Sequence, residues 1–183
     1  MRKSTFFLIS CLFAAPIQAA DTYTIDPSHT YAHFAISHLG FSTMRGRIDS
    51  TGGSFTMDGN GGSVTVDLQP ASVDTGHGKR DDHLRSPDFL NVVEFPEMKF
   101  ESTSVNLADG GGSIDGNLTL MGQTNPVSLE ITAMNCGEHP FSKKPTCGFD
   151  ATTKIKRSDY GSEYGIPGIG DEMELWIEIE GSQ

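Results

Sequence analysis

From Tyr23 to the end of the chain, apolar residues recur at every second position in one short run after another, with glycine-rich breaks between the runs. A period of two puts alternate side chains on opposite faces of a strand. The run Glu172 to Glu180 is the clearest, with Met173, Leu175, Ile177 and Ile179 set against Glu174, Trp176, Glu178 and Glu180. Tyr31 to Leu39 places Ala32, Phe34, Ile36 and His38 on one face and Tyr31, His33, Ala35 and Ser37 on the other. Ser63 to Leu68 sets Val64, Val66 and Leu68 against Thr65 and Asp67. Further strands are predicted at Tyr23 to Asp26, Met44 to Ser50, Gly53 to Asp58, Met98 to Leu107, Ser113 to Met121, around Val127, Leu129 and Ile131, and at Phe149 to Arg157. Gly59-Asn60-Gly61-Gly62 and Asp109-Gly110-Gly111-Gly112 read as turns. The pattern predicts an all-β meander of eight to ten strands. An immunoglobulin-like sandwich and an up-and-down barrel both fit it. Strands of about ten residues, roughly 33 Å long, are longer than sandwiches usually carry and favour the barrel.

The alternation stops between Asp74 and Ser102. Lys79 to Arg85 is charged, with Leu84 its one apolar residue, and Ser86-Pro87 ends it because a residue before proline is pushed out of the helical region. Phe89, Leu90, Val92, Val93 and Phe95 follow, bounded by Pro96. A helical turn without an apolar stripe supplies no helical core. It suits a short helical segment at the rim of a barrel, closing or gating one end of an apolar interior.

The first residues change the picture of where the chain works. Met1-Arg2-Lys3 is basic, Phe6 to Ala15 is a short apolar run, and Ile17-Gln18-Ala19 offers a cleavage site. This reads as a secretory signal peptide of residues 1–19, with cleavage after Ala20 as an alternative, and it implies a periplasmic protein. About 164 residues then remain, residues 20–183, enough for one domain. Removing Arg2 and Lys3 leaves 11 basic against 24 acidic side chains, a net charge of −13. A chain this acidic is not suited to nucleic acid, whose affinity comes from lysine and arginine on phosphates. No second apolar run approaches membrane-spanning length, so stable membrane insertion is not expected. Cys11 leaves with the signal peptide, and Cys136 and Cys147 remain as an even pair, expected to form a disulfide in an oxidising compartment.

Candidate chemistry is sparse. His29, His33 and His38 resemble a metal cluster as text, but on a strand His29 and His33 lie roughly 13 Å apart and His38 faces the other way. No metal ligands are therefore assigned. His38, on the face of Phe34 and Ile36, is either a hydrogen-bonded core histidine or the polar group that fixes the head of an amphiphile. Arg80, Asp81, His83 and Arg85 have three readings: a catalytic Asp81–His83 pair, contacts to a ligand head group, or ion pairs that pin a short helix to the rim. No nucleophile or catalytic motif accompanies them, so no catalytic residue is assigned and an enzyme is not expected.

Several separate stretches, in order, resemble the YceI-like family of exported, lipocalin-type, polyisoprenoid-binding proteins. They are Tyr23-Thr-Ile-Asp-Pro-Ser-His29, Phe34-Ala-Ile-Ser-His38-Leu-Gly-Phe41, Asp74-Thr-Gly, Arg80-Asp-Asp-His83-Leu-Arg-Ser-Pro-Asp-Phe89, Pro96-Glu-Met-Lys-Phe100-Glu-Ser-Thr103, Gly116-Asn-Leu-Thr-Leu-Met-Gly122, Arg157-Ser-Asp-Tyr-Gly161 and Gly170-Asp-Glu-Met173. The resemblance implies an extended antiparallel barrel with a long apolar tunnel that holds an isoprenoid lipid, ubiquinone-like or polyprenyl, without chemistry and without a catalytic cofactor. Thr30 stands where many members carry serine, and both keep a hydroxyl.

The expected ligand-binding residues are Phe34, Ile36, Phe55, Met57, Val66, Phe100, Leu118, Leu120, Leu129 and Leu175 from the inward rows, Leu84 and Phe89 from the rim, and His38, Phe41, Arg80 and Arg85 at the mouth. The expected function is a carrier or reservoir for a lipid that water does not dissolve. A solid-cored interaction or stress-response module, and a binder of another long-chain amphiphile, are the rival readings. Monomer and homodimer are both open.

Overall fold

Antiparallel pairing runs from strand to strand along the chain and then closes on itself. The computed structural model describes residues 20–59, 61–108 and 110–183; the expected signal peptide, residues 1–19, and the turn residues Asn60 and Asp109 lie outside the described residues. The strands are β1 (Asp21–Ile25), β2 (Tyr31–His38), β3 (Ser42–Asp58), β4 (Gly61–Leu68), β5 (Met98–Ala108), β6 (Gly111–Leu120), β7 (Gln123–Glu138), β8 (Pro145–Lys156) and β9 (Ile169–Ser182). One helix, α1 (Gly78–Arg85), lies between β4 and β5. Strands β2 to β9 form a closed barrel of eight, because β3 pairs with both β2 and β4 while β2 pairs with β9. The ninth strand, β1, pairs with the second half of β3 and the end of β9, continuing the position of β2 beyond a 3-10 turn at Pro27–His29.

The two strands predicted at Met44 to Ser50 and Gly53 to Asp58 are one, the 17-residue β3. The register against β4 shifts between Ser50 and Gly52, which bends the strand where the glycines suggested a break. Gly53 has φ +131°, and a Cβ there would lie 2.1 Å from the Thr65 carbonyl oxygen, so only glycine fits this corner.

The connections sort by end. The β2–β3 turn, α1 with its flanking loops, the β6–β7 turn and the β8–β9 loop lie at one end, and the other hairpins and both described chain ends lie at the opposite one. At this second end Cys136 and Cys147 face each other across β7 and β8 and are bonded, as expected. The barrel interior there is filled by aromatic rings: Tyr23 stacks on Phe55 and Phe149 meets Phe55 edge-on, both at 4.8 Å between centroids. The long tunnel implied by the family resemblance is therefore shortened, with a solid plug in one half.

Candidate functional site

The other half is hollow. A cavity of about 160 Å³ lies between the aromatic plug and the α1 segment, walled by inward side chains of the strands. Phe34, Ile36, Val66, Phe100, Leu118, Leu120, Leu129 and Leu175 line it, and Leu84, Phe89 and Leu90 cover it from the rim segment. Ten of the sixteen expected ligand-binding residues thus border one space. Two wall rings are placed by missing side chains. A Cβ on Gly46 would lie 2.6 Å from the end of the Phe34 ring, and one on Gly116 would lie 2.4 Å from the end of the Phe100 ring. Each ring packs on the bare backbone of a neighbouring strand.

Six expected residues lie elsewhere. Phe55, 1% exposed, and Met57 belong to the plugged half, because the inward row continues past the point where the barrel fills. Phe41 sits in the β2–β3 turn, 91% exposed, where strand alternation no longer applies. His38 ends β2 beyond a register shift against β9 between Ile36 and His38, and it does not border the cavity. Arg80 donates to the Thr75 hydroxyl (2.6 Å) and carbonyl (2.7 Å). Arg85 donates to the carbonyls of Ala71 (2.7 Å) and Val73 (3.0 Å). Both arginines pin α1 to the rim and take no part in the cavity wall.

Asp81 and His83 are not a catalytic pair. Asp81, 6% exposed, accepts from the backbone N–H and hydroxyl of Thr75, while His83 meets Asp88 at 2.8 Å. The Thr75 hydroxyl bond, more than the nearby Arg85 and Arg80, holds the Asp81 carboxyl below its ordinary pKa. The charged rim segment is therefore a latch, and its apolar residues are what it presents inward. Leu90 N–H donates to the Leu84 carbonyl and Val92 N–H to the Arg85 carbonyl, folding the chain back on the helix so that Phe89 and Leu90 reach the cavity.

The sequence reading missed the one buried charge at the cavity. Arg157, 3% exposed, borders it at the foot of the β8–β9 loop. Its guanidinium donates to the carbonyls of Gly170 (2.7 Å), Ser162 (2.7 Å), Tyr164 (2.8 Å) and Ile169 (3.1 Å). Four of five N–H donors are thereby used, leaving one on Nη1 without a protein acceptor among the described residues. Burial lowers the guanidinium's pKa, and the Asp171 charge opposes this. The alternation comes close to it: Phe149, Ala151, Thr153 and Ile155 form the inward row of β8, and Arg157 is the first residue of the 3-10 turn that follows.

The histidines do not assemble around a metal by themselves. His33 faces Glu178 at 3.4 Å and His29 meets Asp26 at 2.9 Å. Asp26, His29 and Glu180 bring ligand-type atoms within 4.8 Å of one another, on the barrel exterior. Their bonds are those of a capped turn: Asp26 accepts from the Ser28 N–H and hydroxyl and from His29. These bonds hold the Asp26 pKa down to about 2 and raise that of His29.

Comparison with known proteins agrees with this architecture. The family model described as the YceI-like domain matches residues 23–181. Protein YceI of Salmonella arizonae is 42% identical, covering 97% of this chain and 95% of its own. Among solved structures, BcnA of Burkholderia cenocepacia superposes with a TM-score of 0.70 at 19% identity, over 85% of this chain and 98% of its own. A polyisoprenoid binding domain from Saccharophagus degradans superposes with a TM-score of 0.63 at 17% identity, over 87% and 97%. At those identities the two structures speak for the fold alone. With a family model spanning nearly the whole barrel and a full-length relative at 42% identity, the chain belongs to the YceI-like domain family.

Proposed function

We propose that this protein is an exported, periplasmic, non-enzymatic carrier or reservoir for an isoprenoid lipid, ubiquinone-like or polyprenyl, held in the hollow half of the barrel. The observation that carries the reading is the apolar cavity closed by a separate, latched segment rather than by the barrel's own strands. A solid-cored interaction module would have no use for such a space. The fold shared with the polyisoprenoid binding domain from Saccharophagus degradans supports the ligand class.

Size sets a condition on uptake. A cavity of about 160 Å³ matches the engineered one, about 150 Å³, that holds a single benzene. A tail of several isoprene units exceeds it. Entry therefore requires the space to widen, by repacking of the flexible Met98 and Met173 and by outward movement of the α1 segment. Each buried CH₂ contributes about 0.8 kcal/mol, which offsets that rearrangement and the ordering of the tail. Arg157 is the charged residue of the cavity wall, in the place expected for His38, Arg80 and Arg85; its remaining N–H is not bared to the empty cavity, so contact with an oxygen of the lipid head requires the same widening.

The test is organic extraction and mass spectrometry of protein purified without detergent. An isoprenoid lipid in stoichiometric amount is the expected result. A clean extract, together with no uptake of added quinone or polyprenyl lipid, would overturn the proposal. Turnover of the added lipid would instead favour an enzyme.

A further inference from the structure

Exposed large apolar side chains are concentrated at one end of this molecule. Among the described residues they are Leu39, Phe41, Val93, Phe141, Tyr164, Ile166 and Trp176. Trp176 lies on the barrel wall and Phe141 at the disulfide end. The other five all occupy connections at the end where α1 covers the cavity: the β2–β3 turn, the loop after α1 and the β8–β9 loop. Phe41 and Val93 are 91% and 92% exposed. Single exposed apolar residues are ordinary, but a cluster on one face marks a contact surface.

The cluster is tied together and to the cavity. Leu39 N–H donates to the Gly168 carbonyl at 2.6 Å, joining the β2–β3 turn to the β8–β9 loop. In that loop the Tyr164 ring packs on Phe89 at 5.2 Å and on His83 at 5.4 Å. Phe89 in turn lines the cavity. The β2–β3 turn is thus bonded to the β8–β9 loop, and that loop's Tyr164 packs on the residue that closes the hollow.

We propose that this crown docks onto a lipid bilayer, its turn tips entering the interface so that the guest passes between membrane and cavity without crossing water. The proposal rests on the carrier reading: an isoprenoid that water does not dissolve is available only from a lipid phase, and the crown lies at the end where the α1 segment covers the cavity. A net charge of −13 after signal-peptide removal disfavours an anionic surface, so attachment is through apolar insertion into a neutral one and is insensitive to salt. The contact is transient, because the exposed apolar area amounts to a few side chains.

Flotation with phosphatidylcholine vesicles tests this, using the wild-type protein, a Phe41→Ser/Ile166→Ser double variant and a Phe141→Ser control. The wild type co-floats with the vesicles equally at low and high salt. The double variant loses about tenfold in partitioning for each large side chain removed, while Phe141→Ser, altered at the opposite end, floats like the wild type. Failure of the wild type to float, or an equal loss in Phe141→Ser, overturns the proposal. Light scattering on the same samples covers a second copy as the occupant: a dimer that dissociates in the double variant assigns the crown to self-association and overturns bilayer docking. Uptake of polyprenyl lipid delivered in detergent separates this inference from the carrier reading. The double variant keeps detergent-delivered uptake and loses uptake from vesicles; loss of detergent-delivered uptake by the wild type would overturn the carrier reading itself.

Discussion

At the scale of single residues, polar groups in this protein work mainly as fasteners, and Arg157 is the charged one among those that border the cavity. Removing it orphans four carbonyls at the foot of the β8–β9 loop. Arg157→Met is expected to cost about 4 kcal/mol in denaturant unfolding, since each of the four acceptors left unsatisfied is worth about 1 kcal/mol. A purely structural role would weaken all guests alike. Contact with a head-group oxygen would instead lower affinity for a quinone more than for a hydrocarbon isoprenoid of equal length, and competition binding of the two reads the ratio directly. Site residues were legible where strand alternation held and illegible where it failed. Phe34, Leu118 and Leu175 lie on strands with one face inward, and they line the cavity. Phe41 lies one step past a strand end, where the same parity argument has no content. Arg157 was hidden because its charge argued against burial and because it too lies one step past a strand end, that of β8.

At the scale of elements, the latch over the cavity depends on a charged helix too short and too polar to be stable by itself. Its attachment runs through Asp81 to Thr75 and through Arg80 and Arg85 to rim carbonyls. The Asp81 carboxyl is held below its ordinary pKa by the Thr75 hydroxyl, so ionised Asp81 stabilises the latched state. The sign follows from linkage. A depressed folded pKa gives stability that is fully present above the unfolded value, about 3.9, and that is lost as pH falls through the folded value. The latch is thus fully engaged at neutral pH and loosens only in acid. Asp81→Asn removes the charge at every pH, and the protection of residues 74–95 against hydrogen exchange at pH 7, taken relative to unstructured amides at the same pH, is expected to fall. Unchanged exchange in the variant would show that the arginines alone hold the segment. The breakdown of alternation gave away this element in the sequence, and Pro87 marked its end, but its attachments span chain neighbours that no period encodes.

At the scale of the whole molecule, the barrel is two interiors in one wall, a solid one stacked on Tyr23, Phe55 and Phe149 and a hollow one beneath the latch. Alternation alone cannot separate them, because Leu and Phe face inward in both halves and only their packing differs. Adding volume does separate them, since the two halves respond with opposite sign. Leu120 is 7% exposed and borders the cavity, so Leu120→Phe places extra carbon into empty space and is expected to stabilise the lipid-free protein by about 1 kcal/mol. Ile114 is 2% exposed and does not itself line the cavity, so Ile114→Phe forces its neighbours off their rotamers and is expected to destabilise by about 1–3 kcal/mol. Chemical denaturation of the two variants reads both values. The ligand reading adds a second requirement, that Leu120→Phe gain stability and lose isoprenoid uptake together, because one ring competes with the guest for the same volume. Destabilisation by Leu120→Phe as large as that by Ile114→Phe would mean that the cavity does not persist in solution, and with it the physical basis for a lipid-carrying role would go.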